Sequence, residues 1–593
     1  MMKVGELTEV ERAVSIDFAT MLNALARPEA FPDAVSPGDR SQKGYYSDDG
    51  PIAVIQTHAS AVVLTPDRVY KLKKPIDLGF FDYSTPALRR HFCGQEVRLN
   101  TRLAPHVYLG VAPVLLFADD QLRFGPTFSA DDVPTPGTIL DGGCVVDYAV
   151  VMVRLPDEAT LEFRVRAATA SPSQLAQIAR YVAAFHASSP TDEHIASFGR
   201  LEVIGGNWEE NFEQMKPYIG RTLDALTYDR IVGYIRRFMQ ERTSLFASRV
   251  RDGRIRDCHG DLRLQHVYLL DEVVDPAQRL AILDGIEFNE RFRYSDVASE
   301  VAFLSMELDA ASRCDLSCAF VDDYIAEIGD EALRELLPFY TCYRACVRGK
   351  VLSFQLDEPE VPAAQREAAR KAAASLFALA GSYASGPSRP TLVMVGGVMG
   401  TGKSTLALAL QHALGWALFS SDTVRKQLAQ LDPTQPHADA FGQGLYSSDR
   451  TASTYNALLA QASAALSQGR SVLLDASFIR RADRQAIAHE AAGHGANVLF
   501  VECACPREVA LQRLARRWKA RMEGGQATSE GASYASDGRP DLYDAQCGGW
   551  EAFISDEEPH TQHVVVTTTL PLAESREQVL GGLHMPRFAC WLL

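Results

Sequence analysis

The stretch that most constrains this chain is residues 397–404, because it matches the pattern G-x-x-x-x-G-K-[ST] of phosphate-binding loops. The apolar run 392–395 before it predicts a strand, and the residues from Thr405 onward predict a helix. A strand that ends and a helix that begins at such a loop direct several backbone N–H groups into one concavity, where a phosphate group binds. The sequence therefore predicts a nucleotide site here, and a glycine-rich turn without a ligand is the alternative.

The residues of this loop are assigned to ATP and Mg²⁺. Lys403 is expected to contact the β- and γ-phosphates as a point charge, and the Ser404 hydroxyl is expected to ligate Mg²⁺, which keeps most of its waters. The other loop residues assigned to the nucleotide are Gly397, Gly400, Thr401, Gly402 and Thr405.

Aspartates that follow two later strands are further candidates. Asp422 comes after the predicted strand 417–420 and is assigned as the base that accepts the proton of a substrate hydroxyl, with Arg425 beside it. A helix cap is the alternative role for Asp422. Asp475 ends the predicted strand 471–475 and is expected to hold Mg²⁺ through water.

A predicted helix over 507–522 carries four arginines at helical spacing: Arg513, Arg516, Arg517 and Arg521. Cations this close repel one another unless an anion neutralises them, so Arg513 and Arg517 are assigned to the phosphates of ATP. Arginines that only face solvent are the alternative. The glycine- and serine-rich stretch 524–541 is expected to be a mobile lid.

The part of the chain before the phosphate loop has a different pattern. Short β-branched runs predict an antiparallel sheet, an amphipathic helix over 87–103 follows, and a long helical region comes after further strands. The predicted strands are 52–55, 61–64, 69–73, 107–116 and 144–155. This order of elements is typical of a protein-kinase-like fold.

Two lysines on one of these strands are candidates for phosphate binding. Lys71 and Lys73 alternate onto one face of the strand, so either can contact a nucleotide while Glu96 on the helix orients it. Exposed surface lysines are the alternative. A glycine-rich loop does not precede them, since residues 56–60 occupy its place.

The run His259-Gly260-Asp261 is the strongest signal in this half. In kinase-type phosphotransferases a loop H-x-D-x-x-x-x-N supplies a catalytic aspartate and a metal-binding asparagine, and an aspartate beyond the next strand binds Mg²⁺. Asp261 is accordingly assigned as the base and Asp284 as a metal ligand. His266 occupies the position at which the pattern has asparagine. An imidazole can ligate a divalent ion, although Mg²⁺ prefers oxygen. Two alternatives therefore stay open: His266 is a metal ligand, or this part of the chain is an inactive pseudokinase.

These segments resemble the aminoglycoside phosphotransferase-like branch of the kinase fold, and the whole chain resembles bacterial two-domain proteins described as bifunctional aminoglycoside phosphotransferase/ATP-binding proteins. The segments that carry the resemblance are 57–60, 69–75, 96–100, 259–262, 284–289 and 296–298. The resemblance implies ATP-dependent phosphorylation of a small hydroxylated molecule. The part after residue 386 resembles small P-loop kinases such as the polynucleotide-kinase, gluconate-kinase and zeta-toxin groups.

Length and composition indicate the number of domains and the class of protein. A chain of 593 residues exceeds one hydrophobic core, so we expect an α+β protein-kinase-like domain over 1–385, with lobes at about 50–155 and 156–385, and an α/β doubly wound P-loop domain over 386–593. The formal charge of −16 argues against a broad nucleic-acid surface. The 11 irregularly spaced cysteines indicate reduced thiols, and without a signal peptide or an apolar run of about 18 residues we expect a cytoplasmic protein without a membrane partner.

The resulting expectation is a kinase with two nucleotide sites, each using ATP and Mg²⁺, that acts on small hydroxylated substrates. Two alternatives remain at this level. One is a regulatory nucleotide sensor whose first domain is a pseudokinase, and the other is a polynucleotide-end kinase activity of the second domain.

Overall fold

The computed structural model of the chain describes residues 17–31, 52–79, 81–359, 361–385, 390–432, 443–522 and 538–582. The chain separates into a first compact unit over 1–210, 239–307 and 323–330, and a second over 211–238, 308–322 and 331–593. The boundary expected between residues 385 and 386 is a different division and stays a prediction.

An antiparallel sheet forms the start of the first unit. Its strands are β1 (Ala53–Gln56), β2 (Ser60–Leu64), β3 (Arg68–Lys73), β4 (Tyr108–Leu116), β5 (Leu122–Phe124), β6 (Ile139–Leu140) and β7 (Gly143–Val153). They are ordered β1-β2-β3-β7-β4-β5, with β6 paired to β7. The antiparallel sheet that the sequence predicts is confirmed, and its strand bounds differ from the prediction by one or two residues.

Both faces of this sheet are covered. Val63 and Leu72 pack on one face in the same buried cluster as helix α1 (Phe18–Leu25), and Val150 packs on the other with helix α2 (Pro86–Asn100). Because side chains alternate along a strand, the residues of β3 that flank Leu72 point toward α2. The sheet therefore directs both lysines of β3 toward the helix that carries Glu96.

Short strands follow in the first unit and fix two loops. They are β8 (Ile255–Asp257), β9 (Val267–Leu269), β10 (Leu280–Ile282) and β11 (Tyr294–Asp296). β9 pairs with β10 and β8 pairs with β11, both antiparallel. These pairings bring the loop after β8, which holds Asp261, close to the loop after β10, which holds Asp284.

The described part of the chain before the phosphate loop also contains eleven further α-helices. They are α3 (Leu161–Arg166), α4 (Pro172–Ser188), α5 (Glu193–Ser197), α6 (Leu201–Met215), α7 (Ala225–Glu241), α8 (Thr243–Arg251), α9 (Glu290–Arg293), α10 (Val297–Ala310), α11 (Cys314–Ile328), α12 (Leu333–Phe354) and α13 (Ala363–Tyr383). Of the helices that can be described, none is both long and apolar enough to span a bilayer.

A five-stranded parallel sheet forms the end of the second unit. Its strands are β12 (Thr391–Gly396), β13 (Ala417–Ser420), β14 (Val472–Asp475), β15 (Asn497–Ala504) and β16 (Thr561–Thr567), in the order β13-β14-β12-β15-β16. Its helices are α14 (Lys403–Leu414), α15 (Ser421–Leu428), α16 (Ser448–Leu466), α17 (Arg481–Gly493), α18 (Arg507–Met522), α19 (Tyr543–Gly548) and α20 (Leu572–Gly582).

Alternate residues of the central strand β12 pack on opposite faces of this sheet. Leu392 and Met394 lie in a buried cluster with residues of α16 and α17, whereas Val393 and Val395 lie in a cluster with residues of α14 and α20. Because helices cover both faces, the strands are apolar throughout rather than alternating. The doubly wound P-loop fold that the sequence predicts is confirmed.

Part of the predicted lid lies outside the described residues. This applies to residues 524–537 of the stretch 524–541 and to the side chain of Arg521. The lid therefore stays a prediction.

Candidate functional site

The first centre lies where β3 faces α2, and it contains two lysines that share one glutamate. Lys71 Nζ donates to Glu96 Oε1 at 2.9 Å and to Asp284 Oδ1 at 2.5 Å. Lys73 Nζ donates to Glu96 Oε2 at 2.7 Å and to Glu287 Oε1. Each oxygen of the Glu96 carboxylate is thus bound to a different lysine.

The two lysines differ in their access to solvent. The Lys73 side chain is 1% exposed, whereas Lys71 is 16% exposed and its partner Asp284 is 49% exposed. Lys73 also lies 4.8 Å from the centre of the Tyr83 ring, whose hydroxyl donates to Glu287 Oε1 at 2.6 Å. Lys73 is therefore enclosed, and Lys71 lies at the accessible side of the centre.

Electrostatics keep these groups ionised. Burial alone disfavours every charge in the centre, but the neighbouring carboxylates hold the pKa of Lys71 and of Lys73 well above the usual value. The lysines in turn hold the pKa of Glu96 and of Asp284 below the usual value for a carboxyl group, against the effect of burial. The centre thus presents fixed charges of both signs.

The loop that carries Asp284 is held in an uncommon backbone conformation. Asp284 has a φ of +64°, a left-handed value that few residues other than glycine adopt, although aspartate is among them. Its N–H donates to the Tyr108 hydroxyl at 3.1 Å, and the N–H of Gly285 donates to Asn100 Oδ1 at 2.7 Å. These bonds fix the direction in which the Asp284 carboxylate points.

The loop that carries Asp261 is anchored by Glu300. The Glu300 carboxylate accepts the N–H of His259 at 2.9 Å and the N–H of Gly260 at 2.6 Å, and it bonds to His186 Nε2 at 2.8 Å. Burial would raise the pKa of Glu300, but the bonds to His186 and to the loop lower it to about 2. Glu300 is therefore an ionised residue that positions the loop.

His186, Cys258 and Glu300 also form a group close enough to hold one metal ion. Both Glu300 oxygens, however, already accept backbone N–H groups, Oε2 from His259 and Oε1 from Gly260. The group therefore serves the loop through hydrogen bonds, and we assign no metal to it.

His259 is a neutral part of the same loop. Its Nδ1 accepts the N–H of Asp261 at 3.2 Å, so its Nε2 donates to the carbonyl oxygen of Leu283 at 2.9 Å. Burial lowers the pKa of His259. The ring thereby connects the loop of Asp261 to the strand that leads to Asp284.

The imidazole of His266 lies between the two aspartates. Its Nδ1 donates to the carbonyl oxygen of Asp261 at 2.9 Å and lies 3.6 Å from Asp261 Oδ2, while its Nε2 lies 3.7 Å from Asp284 Oδ2. Since Nδ1 carries the proton, Nε2 is an acceptor, and it accepts from Gln265 Nε2 at 2.9 Å beside the Asp284 carboxylate. Once the Gln265 amide releases Nε2, one carboxylate and one imidazole nitrogen fit a divalent cation that completes its shell with phosphate oxygens and water.

The second centre is the phosphate loop between β12 and α14. Gly397 and Gly400 have φ values of +132° and +82°, and a Cβ atom there would lie 2.6 Å from the Cys503 carbonyl oxygen and 2.8 Å from the Ala510 carbonyl oxygen. Only glycine fits at either position, because any side chain would clash with backbone. The glycines of the pattern are thus required by the close packing around the loop.

Several charged residues that the sequence assigns to this site lie near the loop. Lys403 Nζ donates to the Val398 carbonyl oxygen at 3.0 Å. Burial holds the pKa of Lys403 below the usual value, although the carboxylates of Asp475 and Asp422 oppose this effect. Burial holds the pKa of Asp475 above the usual value for a carboxyl group. Lys403 and a hydrogen bond from Ser404 oppose this effect. The structure therefore brings together the lysine, the hydroxyl and both carboxylates that were assigned to phosphate, metal and base.

Asp422 lies in the first turn of α15, but it is not the cap of that helix, since the cap position is Ser420. Its Oδ1 accepts from Arg425 at 3.0 Å, and Arg425 lies 4.6 Å from the centre of the Tyr446 ring. The helix-cap alternative for Asp422 is therefore wrong, while its role as a base stays a prediction.

The arginines of α18 do not all share one environment. Arg513 donates to the hydroxyl of Thr568 at 3.1 Å and to its carbonyl oxygen at 2.7 Å, and that hydroxyl donates to the Thr401 carbonyl oxygen at 2.7 Å. Arg517 is close enough to Lys403 to lower its pKa, whereas Arg516 is exposed. Arg513 thus reaches the phosphate loop through Thr568, the charge of Arg517 acts on Lys403, and Arg516 is exposed.

Sequence reasoning assigned no role to three residues that the structure places in these centres: Glu287, Glu300 and Gln546. Two lysines on one strand face need two carboxylates, and this requirement could have identified Glu287, three residues after Asp284. Gln546 accepts the N–H of Met399 at 2.6 Å within the phosphate loop. No local signal marks Gln546, because it lies 147 residues further along the chain.

The chain is similar to several known proteins. Residues 392–532 match a family model described as an AAA domain. The chain is 30% identical over 473 residues to the uncharacterized protein Rv2004c of Mycobacterium tuberculosis H37Rv, which covers 79% of this chain and 87% of that protein. The match extends over most of both proteins.

Two solved structures of kinases are also similar. A sugar kinase from Janibacter sp. HTCC2649 is 20% identical, and the match covers 35% of this chain and 98% of that protein, with a TM-score of 0.24. A choline/ethanolamine kinase family protein from Mesorhizobium loti is 14% identical, and the match covers 60% of this chain and 93% of that protein, with a TM-score of 0.32. Because these TM-scores are low, the fold is assigned from the strand order and the loop geometry described above.

Proposed function

This chain belongs to the same family as the uncharacterized mycobacterial protein Rv2004c, and we propose that it is an ATP-dependent phosphotransferase with two nucleotide sites that phosphorylates hydroxyl groups of small molecules. One observation supports this proposal above the others. In each centre a lysine is near the carboxylate assigned to Mg²⁺: Lys71 donates to Asp284, and the loop that carries Lys403 follows β12, whose Val395 pairs with Asp475 on β14. Phosphoryl transfer needs this pairing of a fixed cation with a metal-binding acid.

In the first centre, Asp261 is the base that orients the acceptor hydroxyl and takes its proton. Lys71 contacts the phosphates, and Asp284 and His266 are the residues that would hold Mg²⁺. The metal would neutralise charge on the phosphate oxygens during transfer. The resemblance of residues 259–262 and 284–289 to the aminoglycoside phosphotransferase-like branch supports these roles and implies a small hydroxylated acceptor.

In the second centre, the loop N–H groups and Lys403 bind the phosphates, and Ser404 and Asp475 are the residues that would hold Mg²⁺. Asp422 takes the proton of the acceptor hydroxyl. Arg513 and Arg517 stabilise the negative charge that develops on the transferred group. The resemblance of this part of the chain to small P-loop kinases supports the same reaction.

A second candidate function is a regulatory nucleotide sensor, and His266 favours it. The imidazole occupies the position at which the kinase pattern has a metal-binding asparagine, and nitrogen is a poorer ligand for Mg²⁺ than oxygen. A first unit that binds ATP without transferring its phosphoryl group would be a pseudokinase. ATP binding with no transfer to any acceptor would support this candidate.

The proposal is tested by a screen of hydroxylated acceptors with ATP, including oligonucleotides that carry a 5′-hydroxyl. We expect Asp261→Ala and Lys403→Ala each to reduce one ATP-consuming activity by about 10²-fold or more and to spare the other. Asp131→Ala and Lys371→Ala, at exposed positions, are the matched controls. Wild-type rates in both test variants would refute the proposal, and labelling of oligonucleotides would make the second centre a polynucleotide-end kinase.

A further inference from the structure

The first centre contains one lysine and one acid more than the proposed reaction uses. Lys71, Glu96 and Asp284 account for phosphate and metal binding, whereas Lys73 and Glu287 have no role in that chemistry. Both are nevertheless ionic and enclosed, with side chains that are 1% and 7% exposed. Charged residues are rarely buried without a specific function or a strong partner.

We propose that Lys73 and Glu287 are positioning residues that hold Glu96 in place, and that Lys71 alone contacts the phosphates of ATP. This inference rests on the proposed function of the first centre and extends it by separating the roles of the two lysines.

The bonds to Glu96 are the first step of the argument. Its Oε1 accepts from Lys71 at 2.9 Å and its Oε2 from Lys73 at 2.7 Å, and its side chain is 0% exposed. Water therefore cannot replace either lysine. As long as Lys73 occupies Oε2, the carboxylate cannot rotate to bind Lys71 with both oxygens.

The enclosure of Lys73 is the second step. An ammonium group has three donors, and Lys73 directs two of them to Glu96 and Glu287 beside the ring of Tyr83. To reach a phosphate, Lys73 would have to give up its bonds to two buried carboxylates, at a large cost. Lys71 has no such restriction, because its second partner, Asp284, is half-exposed.

The third step is the connection between the two pairs. Glu287 follows Asp284 by three residues on one loop, and Lys73 follows Lys71 by two residues on one strand. Glu96 lies between the two lysines. The pair of Lys73 with Glu287 thus fixes the distance of this loop from β3 and α2, and with it the place of Asp284 relative to Lys71.

Removal of Lys73 has two separable consequences in this arrangement. Glu287 becomes a buried charge without its lysine, which destabilises the fold. Glu96 also loses its anchor, turns both oxygens toward Lys71 and draws it away from the phosphates. Replacing Glu287 by glutamine as well removes the first consequence but not the second.

The test uses the full-length chain with Lys403→Ala throughout, so that only the first centre binds nucleotide. We expect Lys73→Met to weaken the binding of Mg-ATP, measured by calorimetry, about 10-fold or more and to lower the thermal midpoint by about 5 °C or more. In Lys73→Met/Glu287→Gln the midpoint recovers by at least about half, and the affinity stays low. Lys371→Met, at an exposed position, is the control.

Recovery of both the midpoint and the wild-type affinity in the double variant would overturn the inference, because the pair would then be structural only. If the Lys403→Ala chain itself binds no Mg-ATP, the proposed function of this centre fails, and the thermal midpoints of Lys71→Met, Lys73→Met and their combination decide the inference. If both lysines hold Glu96, the double variant should lose more of its thermal midpoint than the sum of the losses in the two single variants. A loss of thermal midpoint equal to that sum would overturn the inference.

Discussion

Met399 donates its N–H to Gln546 Oε1 at 2.6 Å, so at this residue the phosphate loop already has an oxygen acceptor. A phosphate oxygen must displace the carboxamide before it can accept the same N–H. We therefore expect Gln546→Ala to raise the affinity of the second centre for Mg-ATP by about 2- to 10-fold, since one hydrogen bond no longer competes.

The matched variant Gln546→Glu should lower this affinity, because a carboxylate at the loop repels phosphate. Calorimetry in a Lys71→Met background isolates the second centre, and Gln485→Ala, at an exposed amide, is the control. Unchanged affinity in both Gln546 variants would show that the contact does not compete with nucleotide.

Glu300 makes a prediction about pH. Its pKa falls from 4.5 to about 2 on folding, so its contribution to stability is present above pH 4.5 and is lost as the pH falls toward 2. This shift corresponds to a contribution on the order of 3 kcal/mol at neutral pH. We expect Glu300→Gln to lower the free energy of unfolding by about this amount at pH 7, and the difference from wild type to shrink below pH 4.5.

Urea unfolding at a series of pH values measures this difference, with Glu331→Gln, at an exposed position, as the control. A difference that stays constant between pH 7 and 3 would contradict the assigned role of Glu300.

The phosphate loop between β12 and α14 makes a prediction at the level of an element. A Cβ atom at Gly397 would lie 2.6 Å from the Cys503 carbonyl oxygen on the neighbouring strand β15, so Gly397→Ala must move the loop or the strand. We expect it to weaken Mg-ATP binding by the second centre about 10-fold or more and to lower the free energy of unfolding by about 1–3 kcal/mol.

Gly493→Ala is the control within the same sheet domain. No atom lies within 4 Å of the Cβ position there, so binding should not change. Equal behaviour of the two variants in calorimetry and urea unfolding would show that the close approach at Gly397 is unimportant.

The longer elements could be predicted from the sequence because their apolar residues follow a clear period. The helix predicted over 507–522 and the strand predicted over 417–420 agree with α18 and β13. The strands β8 to β11 were harder, since three residues are too few to show alternation.

Contacts between distant residues explain what sequence reasoning missed in the sites. Asp261, Asp284, Lys403 and Asp475 follow from local patterns, and their roles stay predictions. The bond of Lys73 to Glu287 joins residues 214 apart, and only the pairing of strands and loops in the fold decides that they meet. The division of roles between Lys71 and Lys73 could not be read from their shared strand face.

For the whole molecule, we infer that one chain holds two centres that each bind a nucleoside triphosphate. The antiparallel sheet with α2 builds the first, and the parallel sheet with α14 builds the second. Each has its own lysine and its own carboxylate assigned to Mg²⁺, so a substitution in one centre should leave binding by the other in place.

Titration of Mg-ATP into the intact chain by calorimetry tests this claim most directly. We expect two equivalents bound by the wild-type chain, one by Lys403→Ala, one by Lys71→Met and none by the variant that combines them. A wild-type chain that binds no ATP, or a single equivalent that only one of the two substitutions removes, would contradict it.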